Sequence, residues 1–203
     1  GSNSASVTLV AASDTLDETD ETVVIDIASV TNATAPGTQV QTVTITDDDN
    51  LPTVTLSVGL NAINEPIGTT TETSVTVTLN TASALPVTVT LAKTGTATEG
   101  ATKDYTLNNA ITIPAGALSA TTTLTALFDT LDEDNETVTI DISGVTNGLE
   151  FNTQTQTVTI TDITTPPTVT LTVGGGSVNI TIGEGVGTTS ITTSVTATLS
   201  AVS

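Results

Sequence analysis

The chain of 203 residues has no cysteine, histidine, methionine or tryptophan, and only 2 basic residues stand against 22 acids. Without cysteine, disulfides are unavailable as a stabilising device. Without histidine and cysteine, the usual general base and the strongest nucleophile are missing, and catalysis would fall to carboxylates, two lysines, one tyrosine or hydroxyls. A glycosidase built on paired carboxylates would also need an aromatic sugar cleft, which Tyr105, Phe128 and Phe151 are too scattered to form. The inventory therefore points away from an enzyme. A formal net charge of −20 repels phosphate backbones and anionic headgroups, so nucleic acid and membrane surfaces are not expected partners. No apolar run is long enough to span a bilayer, no signal peptide is visible, and the first residue is Gly1, so the sequence reads as a processed chain or a window of a longer one.

What is abundant is threonine and valine, alternating at period two. Mean hydropathy is +0.24, which separates the chain from charged, weakly apolar disordered sequences. Seven stretches carry the strand pattern: 53–58, 73–79, 86–91, 110–113, 120–127, 137–143 and 155–161. Each places Val, Ile or Leu on one face and Thr or Ser on the other, as a sheet with one dry and one wet face requires. Seven strands in about a hundred residues predict an Ig-like β-sandwich, all-β, with no helix.

The sequence repeats itself at an offset of 115 residues, the distance from Asp14 to Asp129. At the same offset Leu9 meets Leu124, Val30-Thr31-Asn32 meets Val145-Thr146-Asn147, and Gln41 to Asp47 meets Gln156 to Asp162. After Gly174 the register slips by a few residues and recovers with Glu65 opposite Glu184. The predicted organisation is the C-terminal half of one unit (1–50), one complete unit (52–163) and the N-terminal part of a third (166–203). Pro52 and the pair Pro166-Pro167 stiffen the two short joints.

An acidic loop occurs once in each of the first two units: Asp14, Asp17, Glu18 and Glu21, then Asp129, Asp132, Glu133 and Glu136. Both run directly into an alternating strand. Carboxylates packed this closely disfavour one another's ionisation unless a cation joins them. Two readings follow, a calcium site or a solvated acidic loop. An EF-hand does not fit, since its sixth loop position requires Gly and Asp134 stands there.

Four segments resemble the Calx-β family, the Ig-like modules of sodium/calcium exchangers and of large bacterial surface proteins. They are Gly95 to Gly100 leading to Asp104-Tyr105, Ile113 to Gly116, the loop from Asp129 to Thr137, and the closing Thr157 to Asp162, in the family's order across the whole central unit. The resemblance implies tandem seven-stranded sandwiches of a bacterial surface or secreted protein, with Ca2+ held at one end, near the joint. The implied ligands in the central unit are Glu65, Asp104, Asp129, Asp132, Glu133, Glu136 and Asp162, with a backbone carbonyl near Leu131. In the preceding unit they are Asp14, Asp17, Glu18, Glu21, Asp47, Asp48 and Asp49, and in the following one Glu184. The central unit closes on Asp162-Ile163 where its neighbour has the triplet Asp47-Asp48-Asp49, so fewer ions or weaker binding are expected at the second joint.

The expected function is that of an extracellular, non-enzymatic calcium-binding segment that rigidifies a stalk, adhesin or filament. Its partners would be neighbouring repeats, other copies of itself or a cell-surface ligand. The alternative is a metal-independent filament subunit joined by strand pairing between chains, its acids serving only solubility.

Overall fold

A computed structural model describes residues 2–66, 68–129, 131–174 and 193–200. In chain order the strands are β1 (Glu21–Asp26), β2 (Val40–Ile45), β3 (Thr53–Val58), β4 (Ala62–Asn64), β5 (Thr71–Leu79), β6 (Val87–Gly95) and β7 (Tyr105–Thr106). They continue with β8 (Ala110–Ile113), β9 (Ser119–Ala126), β10 (Glu136–Thr146), β11 (Leu149–Glu150), β12 (Thr155–Thr161), β13 (Val169–Val173) and β14 (Val195–Leu199). The architecture is all-β. Among the described residues no helix is long and apolar enough to cross a membrane.

The strands β3 to β12 form a sandwich of two five-stranded sheets, ordered β4-β12-β10-β6-β8 and β11-β3-β5-β9-β7. Alternation does the sorting: Val54, Val75, Val77 and Leu124 from one sheet meet Val87, Val89, Ile113, Val138, Ile140 and Val158 from the other, all fully buried. On the wet faces, threonines pair across strands, as Thr76 with Thr121 at 3.0 Å and Thr88 with Thr112 at 3.1 Å. All seven strand stretches read from the pattern are present. Three further strands, β4, β7 and β11, are only two or three residues long and too short to show a period.

The strand ending at Leu91 in the sequence reading continues to Gly95, because Ala92, Lys93 and Thr94 pair with Asp141, Ile140 and Thr139 of β10. It stops where the backbone turns. Gly95 has φ +126°, and a Cβ there would lie 2.1 Å from the Thr137 carbonyl oxygen, so no other residue fits. The turn sends residues 96–104 over the end of the sheets. Tyr105, buried and opposite Ala126 in β9, anchors the return of that loop.

Outside the sandwich, β1 and β2 pair from Glu21↔Ile45 to Asp26↔Val40. A shift of 115 residues converts this register into that of β10 with β12, Glu136↔Ile160 to Asp141↔Thr155. Asn32 and Asn147, related by the same shift, share φ of 58°. Strands β13 and β14 pair Val169 with Leu199, as β3 and β5 pair Val54 with Leu79.

Candidate metal centre

At one end of the sandwich, strand ends converge from both sheets. Glu65 follows β4, Asp104 precedes β7, Asp129 follows β9, Glu136 opens β10 and Asp162 follows β12. Their side chains, with Glu133 and Asp134, line a cavity of about 10 Å³ floored by Leu127 and Ile160. That is room for one body the size of a water molecule. Carboxylate oxygens of Asp104, Glu133 and Glu136 all lie within 4.8 Å of one another.

Backbone bonds hold these acids at fixed places. The Asp129 N–H donates to Glu65 Oε1 at 2.9 Å, and the Leu131 N–H donates to Asp129 Oδ1 at 2.8 Å. The Glu133 N–H donates to Asp162 Oδ2 at 3.0 Å, which ties the loop to the end of β12. Asp104 is joined to the end of β9 by the Leu127 N–H, which donates to its carbonyl at 2.9 Å. The bonds to Glu65 and Asp129 each leave the second oxygen of the carboxylate for the cavity.

The electrostatics are those of closely crowded acids. Desolvation, a side-chain hydrogen bond to Asp104, and the charges of Asp104, Glu133 and Asp129 push the Glu136 carboxyl up to about 7. Glu65 is raised by desolvation and by Asp129 and Asp162, against the Asp129 N–H bond that favours its charged form. Glu133 is raised by desolvation and by Asp129, Asp104 and Asp162, with Lys103 offsetting part of the effect. Asp162 goes the other way: desolvation is outweighed by donors from the Thr164 and Glu133 N–H groups, the Thr164 hydroxyl and Glu65, so it stays ionised below the ordinary range. The other lysine, Lys93, is engaged elsewhere with Glu99 and the Leu107 carbonyl.

The first loop forms a second, more open cavity of about 280 Å³, lined by Asp14, Glu18, Glu21, Asp47, Asp48 and Asp49 among others. Its internal bonds copy the first site at the 115-residue shift. The Leu16 N–H donates to Asp14 Oδ1 at 2.9 Å, and the Asp47 N–H donates to Asp20 Oδ1 at 3.1 Å, where Asp162 donates to Asn135 at 3.2 Å. Glu18 is raised by desolvation and by Asp14, Glu21, Asp47 and Asp49, and Asp49 by desolvation and by Asp47, Asp48, Asp14 and Asp17.

Of the expected ligands, Glu65, Asp104, Asp129, Glu133, Glu136 and Asp162 are brought together in one cavity, and Asp14, Glu18, Glu21 and Asp47 to Asp49 in the other. Asp132 and Asp17 line neither. Asp17 is buried instead against Ser83, whose hydroxyl donates to its Oδ2 at 3.2 Å. The Leu131 carbonyl is already bonded by the Thr164 hydroxyl at 2.7 Å. Glu184 lies outside the described residues.

Two participants escaped the sequence reading. Asp134 lines the cavity, and Thr164 fastens Asp162 through both its N–H, at 2.7 Å, and its hydroxyl, at 2.9 and 3.0 Å. The repeat offset offered a signal for Thr164, since it places this residue opposite Asp49.

Neither a protein-family model nor a curated protein matches the chain. Solved structures do. CBD12 from CALX1.2 is 17% identical with a TM-score of 0.42, over 54% of this chain and 44% of that one. The apo-form Calx CBD1 domain is 16% identical with a TM-score of 0.42, over 55% of this chain and 98% of that one. The calcium binding domain CBD12 of CALX1.1 is 19% identical with a TM-score of 0.44, over 54% and 45%. The chain thus spans less than half the length of the two CBD12 structures. Its sandwich is established by its own strand pairing.

Proposed function

We propose that the chain is a calcium-binding segment of a tandem sandwich array, in which ions at the ends of units stiffen the joints. The observation that carries this reading is the convergence of Asp104, Glu133 and Glu136 oxygens within 4.8 Å, in a cavity also walled by Glu65, Asp129 and Asp162. The donors are all hard oxygens, and the chain has no histidine or cysteine, which favours calcium, magnesium or manganese over the softer transition metals. Carboxylates set irregularly on loops and strand ends suit the six to eight oxygens that calcium accepts better than the strict octahedron of magnesium. The lysine nearest the cluster offsets only part of the charge on Glu133, so a divalent ion has work to do there.

The units would be residues 1–50, 52–163 and 166–203, arranged in sequence, and the role non-enzymatic. An extracellular or cell-surface setting suits such sites, because external calcium supports binding with dissociation constants of about 10⁻⁴ to 10⁻³ M. Partners would then be neighbouring units, other copies or a surface ligand. The alternative, assembly by strand addition, is less well served by the central sandwich: its outer strands β4, β8, β11 and β7 have only two to four residues, which leaves little edge to pair. Calorimetric titration with calcium, beside melting in calcium and in chelator, tests the reading. Saturable heat with a raised Tm is expected; no heat and an unchanged Tm would make both loops solvated surface.

A further inference from the structure

The loop of residues 14–21 sends its acids in two directions. Asp14, Glu18 and Glu21 line the open cavity, whereas Asp17, between them, is 6% exposed and packed on a turn of the following sandwich. There the hydroxyl of Ser83, 1% exposed, is shared between Asp17 Oδ2 at 3.2 Å and the Asp17 carbonyl at 3.3 Å. The Ala84 N–H donates to that same carbonyl at 3.1 Å, and the two segments run as a parallel bridge. A buried carboxylate is retained only where donors meet it, so this contact is specific and not a chance approach of two surfaces.

The receiving turn is held from its own side. The Leu85 N–H donates to Ser83 Oγ at 3.0 Å, and the Gly116 N–H, from the turn between β8 and β9, donates to the Ser83 carbonyl at 2.8 Å. It also lies at the end of the sandwich away from the carboxylate cavity. Along β5, Thr71 pairs with Ala126 near the cavity, while Thr78 pairs with Ser119 and Leu79 with Val54 near the Ser83 turn. The 115-residue shift carries Asp17 onto Asp132, which likewise stands outside the lining of its own cavity.

We propose that Asp17 is an inter-unit docking residue: the Ser83 turn is a receptor for the acidic loop of the preceding unit, and Asp132 offers the same contact to the unit that follows. The contact itself is made of hydrogen bonds. Its link to metal rests on the function proposed above, since an ion that orders Asp14, Glu18 and Glu21 also orders the residue between them, and the two events then favour each other reciprocally.

The test is amide hydrogen exchange at Ala84 in chelator, with the Leu91 amide, bonded to the Asn109 carbonyl at 2.8 Å inside the sandwich, as internal reference. Asp17→Ala, which leaves the turn intact, and Ser83→Ala should each lower Ala84 protection about tenfold relative to Leu91, and the double variant no further. In parallel, Asp17→Ala should change calcium affinity at the first loop less than about threefold, against tenfold or more for Asp14→Asn. Unchanged Ala84 protection overturns the docking role, and so does a loss of calcium affinity in Asp17→Ala equal to that of Asp14→Asn, which would make Asp17 a ligand. If the unsubstituted chain takes up no calcium, the metal reading fails alone, because the exchange experiment is read without metal.

Discussion

The two acidic loops have the same register, the same Asx-type bond from the residue two places on, and the same link to the end of the paired strand. Yet one encloses about 10 Å³ and the other about 280 Å³. The difference lies outside the loops. Glu65 and Asp104 wall the smaller cavity, at the second loop, from β4 and from the Gly95 turn, residues whose counterparts at the 115-residue shift are not in this sequence. The first loop has instead the triplet Asp47-Asp48-Asp49, with Asp49 where the second has the neutral Thr164. A run of acids supplies charge, but the geometry of the site comes from segments distant in sequence.

The largest test of this comparison concerns the core beneath the loops. Leu124 is fully buried and its counterpart Leu9 is 48% exposed, so Leu124→Ala should cost about 3 kcal/mol in chemical denaturation and Leu9→Ala less than about 0.5 kcal/mol. Next comes the ion. Calcium at a hundred times its dissociation constant should stabilise the central sandwich by about 2.7 kcal/mol, seen as a Tm rise of roughly 10 °C that chelator abolishes. Asp104→Asn should weaken calcium binding at the closed cavity tenfold or more while leaving the heat from the open one in place; equal loss at both would show that the two loops form one site.

Without metal, pH should separate the two effects at the closed cavity. Glu136 binds its proton more tightly folded, at about 7, than unfolded, near 4.5, so its contribution to stability is full below about 4.5 and is lost as pH rises through 7. Asp162, held below 3.8, contributes stability above that value that is lost only on further acidification. Metal-free Tm should therefore fall between pH 5 and pH 7.5, and calcium should remove the fall by displacing the Glu136 proton, with a binding heat that varies with the buffer's ionisation enthalpy. The smallest expected change is Thr164→Asp, which gives the second joint the acid of the first. It should tighten calcium binding about threefold by calorimetry, in line with the dependence of affinity on ligand charge.

The sandwich was legible because Thr and Val alternate so regularly that a one-residue slip would turn the core face to water. The short strands β4, β7 and β11 were not, since two or three residues carry no period and are held by their neighbours. Acids could be counted but not aimed. Asp17 and Glu18 are adjacent and chemically alike, yet one is buried on Ser83 and the other faces a cavity, a choice made by the strand-like backbone that turns successive side chains to opposite sides. Thr164 was passed over for a different reason: a hydroxyl carries no charge, and its importance lies in the donors it aims at Asp162.

The pairing of β4 with β12 is parallel, Ala62↔Thr159 to Asn64↔Thr161, and is extended by the Glu65 N–H donating to the Thr161 carbonyl at 2.8 Å. One of these strands stands near the start of the sandwich and the other at its end. Tension applied through the two ends of the unit pulls them in opposite directions along their length, so their hydrogen bonds are loaded together in shear and do not open one at a time. Glu65 and Asp162, directly beyond this patch, both face the carboxylate cavity. An ion held between them would act as a rivet at the end of the sheared seam, and the force needed to unfold the unit should rise with calcium in single-molecule pulling along the chain.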